Sequence, residues 1–354
     1  MNKLTFELAK YAFKEDENMA TSGLSLFYTL LLAYTSVEPT SNVARAIEAK
    51  LELDDGSLQA FRRLLDSMEK SELLSAAAAF VRDFSSLDKE IATKQDKFLK
   101  SEAQPLKSAA QVNQWCADHT NGRIKTILDD LPASSAAVLI SALYFKAKWQ
   151  NAFNSGSTAA RPFTLLNGTT VELPTMMQKS HKKIWSTRVS SGFVNFYKAP
   201  ADGIIALFSL PKQPGPDGLR AALEELVLDR PEKTAGQTQT LLYLPKFKIE
   251  QSVVCDPMLK AIGLDPLYRP FQFAAVSTKP DVAVDMTVQK VFLAVDEEGT
   301  EAAVVTAMRL RKTAARIDPF ETLNFDRPFV FALVDAATGN RILVSTVVYP
   351  KYKK

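Results

Sequence analysis

The chain has 354 residues, 46% hydrophobic and 23% charged, and its 43 basic against 40 acidic side chains leave a formal net charge of +3. That balance excludes a disordered or collagen-like chain, and so small a net charge leaves no electrostatic footprint for nucleic acid. At this length roughly three quarters of the unfolded surface can be buried, so no disulfide or metal staple is required, and Cys116 and Cys255 read as free, buried thiols.

Leu4, Leu8, Tyr11 and Ala12 recur at helical spacing and predict a first amphipathic helix. The segment also carries Lys3, Glu7 and Lys10, so it is not a signal peptide; the chain is expected outside the cell with its signal removed, or alternatively in the cytosol. The apolar run Leu24 to Val37 is too short and too polar for a membrane span, and no membrane partner is expected. It predicts a buried helix that starts on Ser22 as its cap and stops near Pro39. Helices are expected to dominate to about residue 130, with Ala76 to Val81 as a strand among them. Strands are then predicted at Val138 to Phe145, Ile204 to Leu210, Leu241 to Leu244, Val282 to Val295 and Phe329 to Val334, with Ile342 to Val348 closing a hairpin. Helices first and strands later give an α+β class, and the absence of a long linker or repeat gives a single domain over residues 1–354.

An enzyme is not expected. The two histidines, His119 and His181, stand near no nucleophile motif, and the chain has no G-x-S-x-G elbow, Walker loop, G-x-G-x-x-G or H-E-x-x-H. Both histidines read as surface or helix-end residues, and no cofactor or metal is called for. Asn167-Gly168-Thr169 is a possible glycosylation sequon. Arg62 and Arg63 stand beside Asp66 and Glu69, so no strong glycosaminoglycan dependence is expected.

One segment does not fit a packed domain. Gly299 and Phe325 stand 26 positions apart, longer than ordinary connections, and such loops tend to carry function. Thr300, Ala302, Val304, Thr306, Met308 and Leu310 share one parity and are small or apolar, the period of a half-buried strand written into a loop.

Five motifs in order then match one family. They are Glu297-Glu298-Gly299-Thr300-Glu301-Ala302-Ala303, Phe325-Asp326-Arg327-Pro328-Phe329, Asn113-Gln114-Trp115 with Thr120-Asn121-Gly122-Arg123, Ala142-Leu143-Tyr144-Phe145 through Trp149, and Leu244-Pro245-Lys246-Phe247. Over essentially its whole length the chain resembles a serpin, the serine-protease-inhibitor fold.

The resemblance implies a metastable, monomeric inhibitor whose exposed loop, residues 297–324, joins a large sheet as an extra strand once a serine protease has cut it and formed a covalent complex. It implies a hinge of Glu297, Gly299, Thr300, Ala302, Val304 and Thr306. Counting from that hinge puts the scissile bond between Thr313 and Ala314, with Lys312 and Arg316 as alternatives; a trypsin-like target is favoured and an elastase-like one next. It further implies a shutter of Ser22, Ser25, Ser141 and Gln289, in which serine and glutamine stand where the family pairs Asn with His, and a breach tryptophan, Trp149. The alternative is a non-inhibitory serpin-fold carrier whose loop is cleaved without trapping.

Overall fold

The structure is a computed structural model that describes residues 1–70, 73–84, 89–101, 103–145, 148–197, 203–271, 282–298 and 320–352. Helix α1 (Asn2–Ala12) buries Leu4, Leu8 and Ala12 as their spacing predicts, but Tyr11 points outward and is 43% exposed. After strand β1 (Met19–Thr21), helix α2 (Gly23–Thr35) starts on Ser22, whose side chain accepts the Ser25 N–H. Its residues are buried apart from Tyr34, in keeping with an apolar run that carries no charge. Gly23 is required where α2 crosses α1: a Cβ there would lie 2.6 Å from the Thr5 Cα.

Helices α3 (Asn42–Leu51) and α4 (Ser57–Lys70) lead to strand β2 (Leu73–Val81), whose alanines let α2 approach closely. Helix α5 (Lys89–Leu99), the short β3 (Gln104–Pro105) and helix α6 (Ala109–His119), capped by Ser108, precede strand β4 (Ala137–Phe145). Every residue of β4 is buried, which explains its unbroken apolar run. The strand-rich half follows: β5 (Ala159–Thr164), β6 (Thr170–Ser186), β7 (Ser190–Phe196) and β8 (Ile204–Pro211). Helix α7 (Pro216–Glu224) leads to β9 (Gly236–Pro245) and β10 (Phe247–Val254). A helical turn α8 (Asp256–Leu259) precedes β11 (Val284–Val295), and β12 (Glu321–Asn324), β13 (Phe329–Asp335) and β14 (Arg341–Val347) end the order.

Two sheets organise these elements into an α+β fold. A five-stranded sheet runs β10-β11-β4-β2-β3, and a larger one runs β1-β14-β13-β8-β7-β6-β9-β12 with β5 paired to β6. The five-stranded sheet is covered on both faces. Ala77, Ala79, Leu139, Leu143 and Leu293 join the main core with α2, while Ala78, Phe80, Ile140 and Tyr144 pack with Val112 and Cys116 of α6.

The predicted strands at β2, β4, β8, β11 and the β13–β14 hairpin are present. Strands β5, β6 and β10 were not anticipated, because they largely alternate buried with exposed residues, and β7 was not because its buried face is built partly of Ser190, Gly192 and Asn195 and offers no long apolar run. The loop expected to extend through 324 gives way to strand β12 at Glu321, which pairs in parallel with β9.

Candidate functional site

The only parallel seam in the centre of the five-stranded sheet joins β4 to β11, in register from Val284 opposite Ala137 to Leu293 opposite Phe145, with one irregularity near Met286. Parallel pairing is slightly weaker per residue than antiparallel pairing, and β4 and β11 have antiparallel neighbours on their other edges. The seam is therefore the weaker line of the sheet, and two polar clusters hold it.

Midway along the seam, Gln289 faces Ser141. The Gln289 carboxamide reaches the start of α2, where its Nε2 donates to the Ser22 carbonyl at 2.7 Å and its Oε1 accepts the Ser22 N–H at 2.8 Å. The Ser141 hydroxyl is 3.5 Å from Nε2, the outer limit of a hydrogen bond, so the expected serine–glutamine pair is the weakest member of the cluster. Ser22 Oγ donates to the Ile342 carbonyl at 2.6 Å while it caps α2. The Ser25 carbonyl accepts from Thr29 Oγ1, and the buried Ser25 hydroxyl has no hydrogen-bond partner. All four predicted residues, Ser22, Ser25, Ser141 and Gln289, thus meet where α2 touches the sheet, and each is at most 1% exposed.

Just beyond the end of β11 a second cluster grips Asp296, Glu297 and Glu298. Trp149, 2% exposed, stacks on Tyr197 with centroids 4.4 Å apart. Its indole N–H donates to the Asp296 carbonyl at 2.9 Å, and its backbone N–H to the Glu298 carbonyl at 3.1 Å. Phe153 N–H donates to the Glu297 carbonyl at 2.8 Å. The Glu297 carboxylate pairs with Lys246 at 2.9 Å and accepts from Thr158 Oγ1 at 2.7 Å. Burial alone would raise this carboxyl, but Lys246 and Thr158 outweigh it and hold it below the ordinary glutamate value. Lys246 also lies over the Tyr352 ring, and the Tyr352 hydroxyl donates to Asp296 Oδ2 at 2.6 Å.

The sequence pointed to Trp149 and Glu297 but assigned no role to Lys246, Thr158 or Tyr352. Lys246 was visible only inside a motif, Leu244-Pro245-Lys246-Phe247. Gly299, Thr300, Ala302, Val304, Thr306, Lys312, Thr313, Ala314 and Arg316 lie outside the described residues.

The remaining candidates are dispersed. His119 ends α6, exposed, with Nδ1 2.8 Å from the Trp115 carbonyl oxygen and its ring stacked on Trp115. His181 is exposed on β6. Cys116 and Cys255 are free and buried, and burial pushes both thiols up to about 12, which keeps them protonated and unreactive. Asn167 is exposed in the β5–β6 turn, where its Oδ1 accepts the Thr169 N–H. Arg62 is engaged by Asp66 at 3.0 Å.

The family model Serpin (serine protease inhibitor) matches residues 1–350. An uncharacterized serpin-like protein of Thermococcus kodakarensis is 27% identical across 99% of this chain and 85% of its own length. Among solved structures, the thermophilic serpin tengpin in its native state superposes with a TM-score of 0.86 at 24% identity, covering 98% of this chain and 92% of that one. Human thyroxine-binding globulin complexed with thyroxine gives a TM-score of 0.83 at 19% identity, covering 99% and 96%. At these identities the two structures speak for the fold alone. The family match spans nearly the whole sequence: the chain belongs to the serpin family.

Proposed function

We propose that this chain inhibits serine proteases as a suicide substrate and is not itself a catalyst. The observation that carries the reading is the direct parallel pairing of β4 with β11, the strand that leads straight into the 299–319 segment. A chain leaving the end of β11 and folding back between the two strands runs antiparallel to both. One parallel ladder would be exchanged for two antiparallel ones, a favourable change in sheet pairing.

The reaction starts at the Thr313–Ala314 bond. The protease serine attacks the Thr313 carbonyl, the amine of Ala314 leaves with a proton, and the acyl-enzyme forms. Insertion of Thr300 to Thr313, about 14 residues at ~3.3 Å each, carries the acylated protease on the order of 45 Å. Thr300, Ala302, Val304 and Thr306 would enter the core, which requires small side chains without charge. A protease pulled out of shape loses the aligned oxyanion hole that deacylation needs, so the ester persists.

With cleavage after Lys312 or Arg316, the alternative bonds, the same steps apply and a trypsin-like target is favoured; cleavage at Thr313–Ala314 suits an elastase-like one next. Denaturing gel electrophoresis after incubation with trypsin, elastase and chymotrypsin tests the proposal. A covalent complex is expected, and complete loop cleavage with fully active protease would refute it in favour of a carrier.

A further inference from the structure

The sequence from Lys179 to Lys183 reads as one basic stretch, but strand β6 divides it. Lys179, His181 and Lys183 are exposed on one face, whereas Lys182 turns inward, is 6% exposed and donates to Asn195 Oδ1 at 2.8 Å. The outward face continues across register partners: Leu241, Gln239 and Gln237 of β9 lie opposite Lys179, His181 and Lys183, and Thr322 of β12 lies beside Leu241. No carboxylate joins it from β9, and Glu321 of β12 falls on the other parity.

Aromatic rings hold the cations in place. Lys179 Nζ sits 3.8 Å above the Phe320 ring, Lys183 Nζ 5.6 Å above Phe196, and the Arg161 guanidinium of β5 3.8 Å above Tyr243. Among the described residues none of Arg161, Lys179, His181 or Lys183 has a carboxylate within ion-pair distance. Three permanent cations and a histidine therefore share one face with no ion-pair partner among the described residues.

The position of this face identifies what would meet it. Phe320, beneath Lys179, is the first described residue after the 299–319 segment, so the face borders the point where the loop rejoins the body. Those 21 residues can rise at most about 35 Å above their two roots at ~3.3 Å per residue. A protease of ~230 residues, with a radius of gyration of about 17 Å, would overhang this root while seated on the loop.

We propose that the outward face of β6, β9 and β12, with Arg161 beside it, is an exosite for an acidic surface next to the active-site cleft of the target protease. This rests on the reading of the chain as a protease inhibitor. The cations speed encounter and select among proteases that share a cleavage preference but differ in surface charge.

Anionic and cationic trypsin provide that pair of probes. The quantity measured is the second-order rate at which intact chain is lost, which registers loop attack whether it ends in a covalent complex or in simple cleavage. Failure of trapping, seen as a missing complex on the gel, therefore stays distinct from failure of the exosite. At low ionic strength the anionic enzyme is expected to react about tenfold faster, with the preference collapsing in 0.5 M salt. Lys179→Glu with Lys183→Glu should abolish it, and the neutral pair Lys179→Gln with Lys183→Gln should remove about half of it on a logarithmic scale. Lys50→Glu with Lys107→Glu, an equal change in net charge on exposed residues elsewhere, should leave it intact. The proposal is overturned if the Lys179/Lys183 variants keep the preference, or if the control pair loses it equally. It is also overturned if the Lys179/Lys183 variants lose only retention on immobilised heparin while both rates stay unchanged, which would assign the face to an anionic polymer.

Discussion

Midway along the β4–β11 seam, Gln289 is held by the peptide group of Ser22, with no ionisable side chain among Ser22, Ser25, Ser141 and Gln289 and no solvent access. At the end of the seam, Asp296, Glu297, Lys246 and Tyr352 form a charged cluster around the Trp149 indole. The middle is insensitive to pH and salt, whereas the end depends on an ion pair. If the sheet opens as proposed, this separates a switchable entrance from a fixed interior latch.

The largest way to break the contrast is Gln289→Ala. It leaves the Ser22 N–H buried without its partner, at about 1–3 kcal/mol, while the Ser22 carbonyl keeps the Leu26 N–H at 3.2 Å; with the cavity left by the lost carboxamide, a loss of about 3 kcal/mol is expected in urea unfolding. A midpoint unchanged from the parent would show that Gln289 is not the latch.

Glu297→Gln should cost about 2 kcal/mol, because it leaves the Lys246 ammonium partly buried without its counter-charge. In the parent, the Glu297 carboxyl is lowered below 4.5, so its stabilisation is complete above pH 4.5 and is lost as pH falls through the lowered value. The variant should unfold with no such acid step, as thermal melts from pH 6 to 3 would reveal; a retained step would place the acid sensitivity elsewhere.

Gln289→His would make the latch resemble the entrance. A buried imidazole resists protonation, so its folded pKa drops below the ordinary ~6.5 and the unfolded chain takes up the proton first. Stability should then fall as pH drops below ~6.5, by about 1.4 kcal/mol for each unit of depression. A flat profile between pH 8 and 5 would mean that the imidazole is solvated. The smallest effect is expected for Trp149→Phe, which keeps one aromatic ring against Tyr197 but loses the pyrrole ring and its N–H to the Asp296 carbonyl; about 1–2 kcal/mol should disappear from thermal unfolding.

How far the sequence foretells this molecule depends on whether a segment's surroundings are local. Helix α2 was legible to its cap, because Ser22 and an uncharged apolar run are local signals of a buried helix. Strand β4 and the β13–β14 hairpin were legible because both faces of each strand are buried. Strand β6 was not: its charges and apolar residues alternate along a surface, and only its partners β5, β7 and β9 fix it as a strand. The site divides in the same way. Gln289 and Ser141 could be named from motif order, but that glutamine's longer arm would bypass Ser141 for the Ser22 peptide is a matter of three-dimensional reach. Lys246 lies 51 positions from Glu297, and nothing short-range announces that they pair.

The Tyr352 hydroxyl bonded to Asp296 gives the tail of the protein a hand on the spring. The Lys351 carbonyl accepts the Lys248 N–H at 2.8 Å, so the segment is sewn to β10 one residue before it reaches the loop root. Trimming the chain back past Tyr352, or fusing a bulky tag there, would loosen the end of β11 at Asp296, more than fifty positions upstream. A carboxypeptidase able to remove Tyr352 would slowly undo the Asp296 contact from a distance in sequence.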